Sequence, residues 1–132
     1  MKFLCLICAD AGRMMEHLTP AEAARHFDDY ADFTRAIRAS GHLVGLNRLQ
    51  PPETAATVRV RDGEVAVTDG PYVETKEQLG GYYVIEARDR DEAIGIAARI
   101  PGAWIGCVEV RPIAEDTTTL AALGLTSGAP AR

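Results

Sequence analysis

The chain has no surplus of positive charge, no long apolar run and no even set of cysteines, and each lack removes a class of function. It carries 14 Lys and Arg against 19 Asp and Glu, a net charge of −5, so there is no basic surface to neutralise phosphates and no nucleic-acid partner is expected. No stretch approaches the roughly 18 consecutive apolar residues of a membrane-crossing helix, and the apolar start from Met1 to Ala9 is too short for a secretory leader and has no small-residue cleavage site. A cytoplasmic protein that meets no membrane is the expectation. Three cysteines do not describe a disulfide framework. Cys5-Leu6-Ile7-Cys8 has redox-motif spacing, but it lies in a predicted strand, where residues three apart point to opposite faces. The two sulfurs should therefore not meet, and all three cysteines read as buried structural thiols. No second Cys/His pair follows at ligand spacing, and His17, His26 and His42 fall in a loop, on a helix and at a strand start. Neither a metal nor a cofactor is expected.

What remains is enough for one domain: 132 residues, 47% of them hydrophobic, can bury a core without staples. Lys2 to Ala9 is apolar in both alternating sets, the pattern of a central strand covered on both faces. Asp10-Ala11-Gly12-Arg13 breaks it. Thr19-Pro20-Ala21-Glu22 is a capping box with proline at the first helical position, and predicts a helix over about Pro20 to Ala39 with Phe27, Tyr30/Ala31, Thr34 and Ile37 on its apolar stripe. A second strand, His42 to Leu49, is stopped by Gln50-Pro51-Pro52. Asp62-Gly63 then sits between two alternating runs as a type I′ hairpin turn, with Val58 and Val60 facing Val67 and Val65 and Arg61 facing Glu64. A strand over Tyr82 to Ala87, a helix opened by Asp89 and lined by Ala93, Ile96/Ala97 and Ile100, and a strand over Cys107 to Arg111 complete the domain. Pro101-Gly102 ends that second helix. Residues Ala114 to Arg132 read as a loosely held tail with a weak helical tendency around Thr119 to Leu123.

Two strand-helix-strand halves around an inserted hairpin point to a ferredoxin-like α+β sandwich, an antiparallel sheet with two helices on one face. The first strand is apolar on both sides, so the other face would expose one of its two sets, Phe3/Cys5/Ile7 or Leu4/Leu6/Cys8, together with one of the pairs Tyr82/Val84 or Tyr83/Ile85. That patch is too large for a comfortable monomer, and a two-fold dimer packed sheet against sheet covers it most simply.

The most polar connection in the chain is Thr68-Asp69-Gly70-Pro71-Tyr72-Val73-Glu74-Thr75-Lys76-Glu77-Gln78-Leu79-Gly80-Gly81, read as a turn and a charged link of one to two turns, with a double-glycine entry to the next strand. Gly70 precedes a proline and is biased to extended backbone. Asp69 is a candidate general base or ligand-binding carboxylate if its turn closes a cleft, or else a turn cap. Glu109 and Arg111 share one strand face, as a lateral ion pair, as a bidentate anchor for an anion, or, the favoured reading, in ion pairs with Lys76 or Glu74 at the dimer seam. With Tyr30, Tyr72, Glu74 and Lys76 they make up a candidate polar pocket, Tyr30 being also a core residue of its helix stripe.

Val67 to Tyr83, then Asp91-Glu92-Ala93, Arg99-Ile100-Pro101 and Val108-Glu109-Val110-Arg111-Pro112, resemble the DGPF branch of the YCII-related family, in the same order over about Met1 to Ile113. The resemblance implies a dimeric α+β barrel. Members of the broader family that look enzymatic carry a His on the first helix paired with an Asp near the last strand. This chain has Tyr30 at the helix position, no Asp between Pro101 and Gly106, and Trp104-Ile105 where close relatives often carry a basic residue or His. That dyad is not implied. The resemblance also implies a link to extracytoplasmic-function sigma factors as regulatory partners, although these residues hold no sigma-like helical region. Three readings stand: a domain binding a small ligand or a protein partner, a cofactor-free enzyme of lyase, isomerase or dehydrochlorinase type using Asp69 or Tyr30, and a structural homodimer.

Overall fold

The computed structural model describes residues 1–10, 17–115 and 117–125. The elements follow in the order β1 (Lys2–Asp10), α1 (Pro20–Ala39), β2 (Leu43–Arg48), β3 (Ala56–Arg61), β4 (Glu64–Asp69), β5 (Glu77–Glu86), α2 (Arg90–Ala97), α3 (Gly102–Ile105), β6 (Cys107–Pro112) and α4 (Thr117–Ala122), with one 3-10 turn at Pro52–Thr54. Four strands make an antiparallel sheet in the order β2-β5-β1-β6, and β3-β4 stand apart as a two-stranded sheet. This is the ferredoxin-like α+β arrangement, with the apolar β1 in the centre and the hairpin inserted between the halves. The expected break at Asp10-Ala11-Gly12-Arg13 lies largely outside the described residues, as do the last residues of the tail.

The capping box forms as its sequence requires: Thr19 N donates to Glu22 Oε1 at 3.0 Å and Glu22 N to Thr19 Oγ1 at 3.2 Å. Each bond satisfies a donor that the first helical turn leaves without a partner. The face that α1 buries is turned by about one residue from the expected stripe. Phe33 and Ile37 are in the core, while Phe27 is 63% exposed. Phe33 wins the position because its ring meets the edge of Tyr83 at 5.2 Å and 84°, a favourable aromatic geometry. Below it lie Phe3, Cys5, Ile85, Ala93, Ile96 and Ile100, each large aliphatic or aromatic side chain worth about 1.5–3 kcal/mol on burial.

The cysteines depart from expectation. Only Cys5 is buried; Cys8 is half-buried and Cys107 exposed. The reason is alternation: Phe3 and Cys5 point into the helices, whereas Leu4, Leu6 and Cys8 lie on the opposite face, which no helix among the described residues covers.

The hairpin has the predicted register, Arg61 opposite Glu64, Val60 opposite Val65 and Val58 opposite Val67, with Asp62 and Gly63 at φ 51° and 76°, as a type I′ turn needs. Its four valines are all more than half exposed. The polar connection is shorter than expected because β5 starts at Glu77. What orders it is Gln78, whose amide donates to Val73 O, Thr75 O and Thr75 Oγ1. Gly70 is not extended but has φ 98°, a conformation that glycine reaches without strain. In that conformation its N–H donates to Ala55 O at 2.7 Å, and its carbonyl accepts from Thr57 Oγ1 at 2.9 Å. After α2 the chain does not stop at Pro101-Gly102 but makes one further helical turn, α3, before β6.

Candidate functional site

A hollow lies on the helix side of the sheet, where β1, β2 and β5 come together beneath α1 and α3. Its volume is about 510 Å³, in the range of small-molecule sites. Ile7, Phe27, Ala31, Leu46, Leu49 and Ile105 supply apolar walls, and His26, Tyr30, Thr34 and Tyr83 supply polar side chains, with Arg35 and Arg48 also among the lining residues.

These groups arrive by regular geometry. His26, Tyr30 and Thr34 stand four residues apart on α1 and so share a face. His26 meets Tyr30 edge-on at 4.8 Å, and Tyr30 lies parallel to Tyr83 at 6.5 Å. Tyr83 Oη and Thr34 Oγ1 share a hydrogen bond of 2.7 Å; the bond from Asn47 Nδ2 to Tyr82 Oη, at 2.8 Å, lies on the other face of the sheet. Gly81 and Gly102 let backbones come close. A Cβ on Gly81 would stand 2.9 Å from Asn47 O, and one on Gly102 would stand 2.5 Å from Ile7 Cγ2 and 2.6 Å from Tyr30 Oη.

Burial pushes the Tyr30 phenol up to about 12, against the opposing pull of the Gly102 amide, which donates to its oxygen. Tyr30 therefore stays protonated and offers a hydrogen-bond donor. Burial likewise lowers His26 below its ordinary value, with the Asp29 carboxylate working the other way. A lowered value keeps its imidazole neutral at pH 7, with one nitrogen free to accept. Tyr83 is also raised by burial. Together these groups can orient a mostly apolar ligand by one polar end.

Of the residues singled out from sequence, Tyr30 lies in this cavity. Lys76 lines a second hollow with Cys8, Asp10, Glu77, Trp104 and Cys107. Asp69 is exposed at the end of β4, opposite Ala56. Tyr72 is 75% exposed under the guanidinium of Arg59, 5.4 Å from its ring centre. Glu74 is exposed on the connection. Glu109 and Arg111 form the lateral ion pair at 2.5 Å. Neither cavity is lined by Asp69, Tyr72, Glu74, Glu109 or Arg111. Within one copy of the chain, topology keeps these groups apart: β6 is one edge of the four-stranded sheet, and Asp69 belongs to the separate hairpin.

His26, Thr34, Tyr83 and Gly102 are not among the candidate site residues read from the sequence. The i, i+4 spacing of His26 and Tyr30 was the legible signal. The Gly102 approach had none, because it joins residues distant in the chain. Among the described residues no group of three or more His, Cys, Asp or Glu could hold a metal ion, and no helix is long and apolar enough to cross a membrane.

The model of the YCII-related domain matches residues 1–116. The chain belongs to the YCII-related family. An uncharacterized protein of Rhizobium meliloti (strain 1021) is 36% identical to this chain over 111 residues, 83% of this chain and 90% of the relative. The family match, from residue 1 to residue 116, spans both strand-helix-strand halves and the hairpin between them.

Proposed function

We propose that this YCII-related chain is a small-ligand-binding domain, with the 510 Å³ hollow beside Tyr30 as its site. The single observation that carries this reading is the composition of that hollow: apolar walls around a short row of hydroxyl and imidazole groups, with Arg35 and Arg48 in the lining, the usual make-up of a site that holds an apolar body and orients it by one polar end. The test is a titration with 8-anilinonaphthalene-1-sulfonate, an apolar aromatic anion. Saturable binding at one probe per chain, abolished by Ala31→Trp with the fold intact by circular dichroism, supports the site. Binding that Ala31→Trp leaves unchanged refutes it.

The chain acts in this reading as a homodimer. Leu4, Leu6, Tyr82 and Val84 lie on the sheet face away from the helices and are only half-buried, and a second copy packed on that face would complete their burial. A monomer mass by sedimentation at micromolar concentration would remove the dimer. A regulatory partner of sigma-factor type would add a protein to this assembly, and co-purification with such a factor is its test.

The edge-on contact of a neutral His26 with a protonated Tyr30 favours a second reading, acid–base chemistry of lyase or isomerase type on the bound ligand. His26 would take a proton and Tyr30 would stabilise the developing oxyanion. If this holds, Tyr30→Phe keeps probe binding and loses turnover.

A further inference from the structure

We propose that Cys8 and Cys107 form a redox-modification site, closing reversibly into an intrachain disulfide when the chain meets a peroxide or a low-molecular-weight disulfide. The argument starts from register. Cys8 on β1 is directly opposite Cys107 on β6, so the two side chains leave the sheet on the same face. Ile113 N donates to Lys2 O at 2.9 Å, which makes Lys2 and Ile113 a hydrogen-bonded pair. Antiparallel pairs alternate from there. Pro112, with no N–H to give, falls at a non-hydrogen-bonded position opposite Phe3, and Cys8 with Cys107 falls at a hydrogen-bonded one. Cα atoms in such a pair stand about 5.5 Å apart, within the span that a disulfide bridges without backbone movement.

The two thiols are close enough to influence each other's titration. They line the second hollow, whose walls mix the charged Asp10, Lys76 and Glu77 with Trp104 and Ile105, and Cys107 is exposed. A metal would need a third ligand, and among the described residues no such cluster forms. Cys5 is an internal control, fully buried on the other face.

The surroundings set how readily the pair reacts. Burial, then the charges of Cys107, Glu109 and Glu77, raise Cys8 above its ordinary value, and Cys107 is raised by desolvation and by Glu77. Asp10 and Lys76 line the same hollow. Thiolate is the nucleophile, so oxidation is slow at neutral pH and quickens as pH rises. With hydrogen peroxide, the Cys107 thiolate attacks one oxygen, the O–O bond breaks, and a sulfenic acid forms as water leaves. The Cys8 thiolate then attacks that sulfur and displaces a second water. Two thiols are oxidised, one peroxide is reduced, and two waters result.

The experiment treats the full chain with hydrogen peroxide or oxidised glutathione at mildly alkaline pH and maps its peptides without reduction. The expected result is loss of two hydrogens per chain, a linked peptide pair containing Cys8 and Cys107, a free Cys5, and reversal by dithiothreitol. Melting temperature should rise by about 5 °C or more, since the bridge closes a loop of nearly the whole domain. Cys8→Ser and Cys107→Ser should each abolish the mass loss, and Cys5→Ser should leave it. The proposal is overturned by glutathione or sulfinic adducts without a link, by a link between two chains through Cys107, or by an unchanged mass loss in Cys107→Ser.

Discussion

Gly102→Ala is a small change with a large expected effect, and the reason lies in three atoms. The added Cβ would sit 2.5 Å from Ile7 Cγ2 and 2.6 Å from Tyr30 Oη, closer than real carbon contacts allow. Ile7 is β-branched on a central strand and has few rotamers to retreat into. Tyr30 is held between His26 and Tyr83. Overpacking of this kind costs about 1–3 kcal/mol, while the gain from replacing glycine by alanine in a helix, about 0.5–1 kcal/mol at most, is less in the single turn of α3. For 132 residues the unfolding entropy near 60 °C is about 280 cal/mol/K, so 1 kcal/mol is about 4 °C. The expected drop in melting temperature is therefore roughly 4–11 °C, followed by circular dichroism. Gly95→Ala is the matched control: Gly95 lies inside α2 with nothing within 4 Å of its added Cβ. There only the helix gain acts, and melting should rise by about 2–4 °C. A Gly102→Ala protein that melts within about 1 °C of the parent, or above it, would refute both the close approach and the placement of Tyr30 that depends on it.

Arg111→Ala should cost no more than about 0.5 kcal/mol, because both members of the Glu109 pair are well exposed and such pairs are weak; chemical denaturation measures it, and a loss several times larger would mean that the pair is buried in an assembly. Asp69→Asn should leave both melting and probe binding unchanged in a single copy of the chain, since Asp69 lines neither cavity; altered binding in titrations would place it at the site. Stability should fall on acidification through Glu92, which is held below its ordinary 4.5 first by the Arg88 backbone amide, then by the charges of Arg88 and His42. The unfolded carboxyl takes its proton at higher pH than the folded one, so this contribution is intact above the ordinary carboxyl value and is lost as pH falls through the folded one. Melting curves taken between about pH 6 and about pH 3 should be flatter for Glu92→Gln.

Patterns confined to neighbours along the chain were legible in the residues alone. The Thr19–Glu22 box, the Asp62-Gly63 turn with its valine register, and the Asp89 cap of α2 each depend on atoms a few residues apart, so local chemistry decides them. The double-sided apolarity of Lys2 to Ala9 placed β1 in the centre because only a covered strand tolerates it. The rotation of α1 did not follow in the same way. Phe27 and Phe33 are both apolar, and the sheet chose Phe33 through the Tyr83 ring. The candidate site divided along the same line. Tyr30 was visible on its stripe, but its pocket depends on Gly102, whose backbone admits the side chains of Ile7 and Tyr30, and on Gly81, whose backbone approaches that of Asn47, all distant in sequence. The polar connection drew notice for its charges, yet tertiary packing sent it to the edge of the molecule, where Gln78 and Arg59 hold it. Likewise Cys5 and Cys8 were seen to point apart, but the partner of Cys8 lies on the last strand, and only the β1–β6 pairing brings it there.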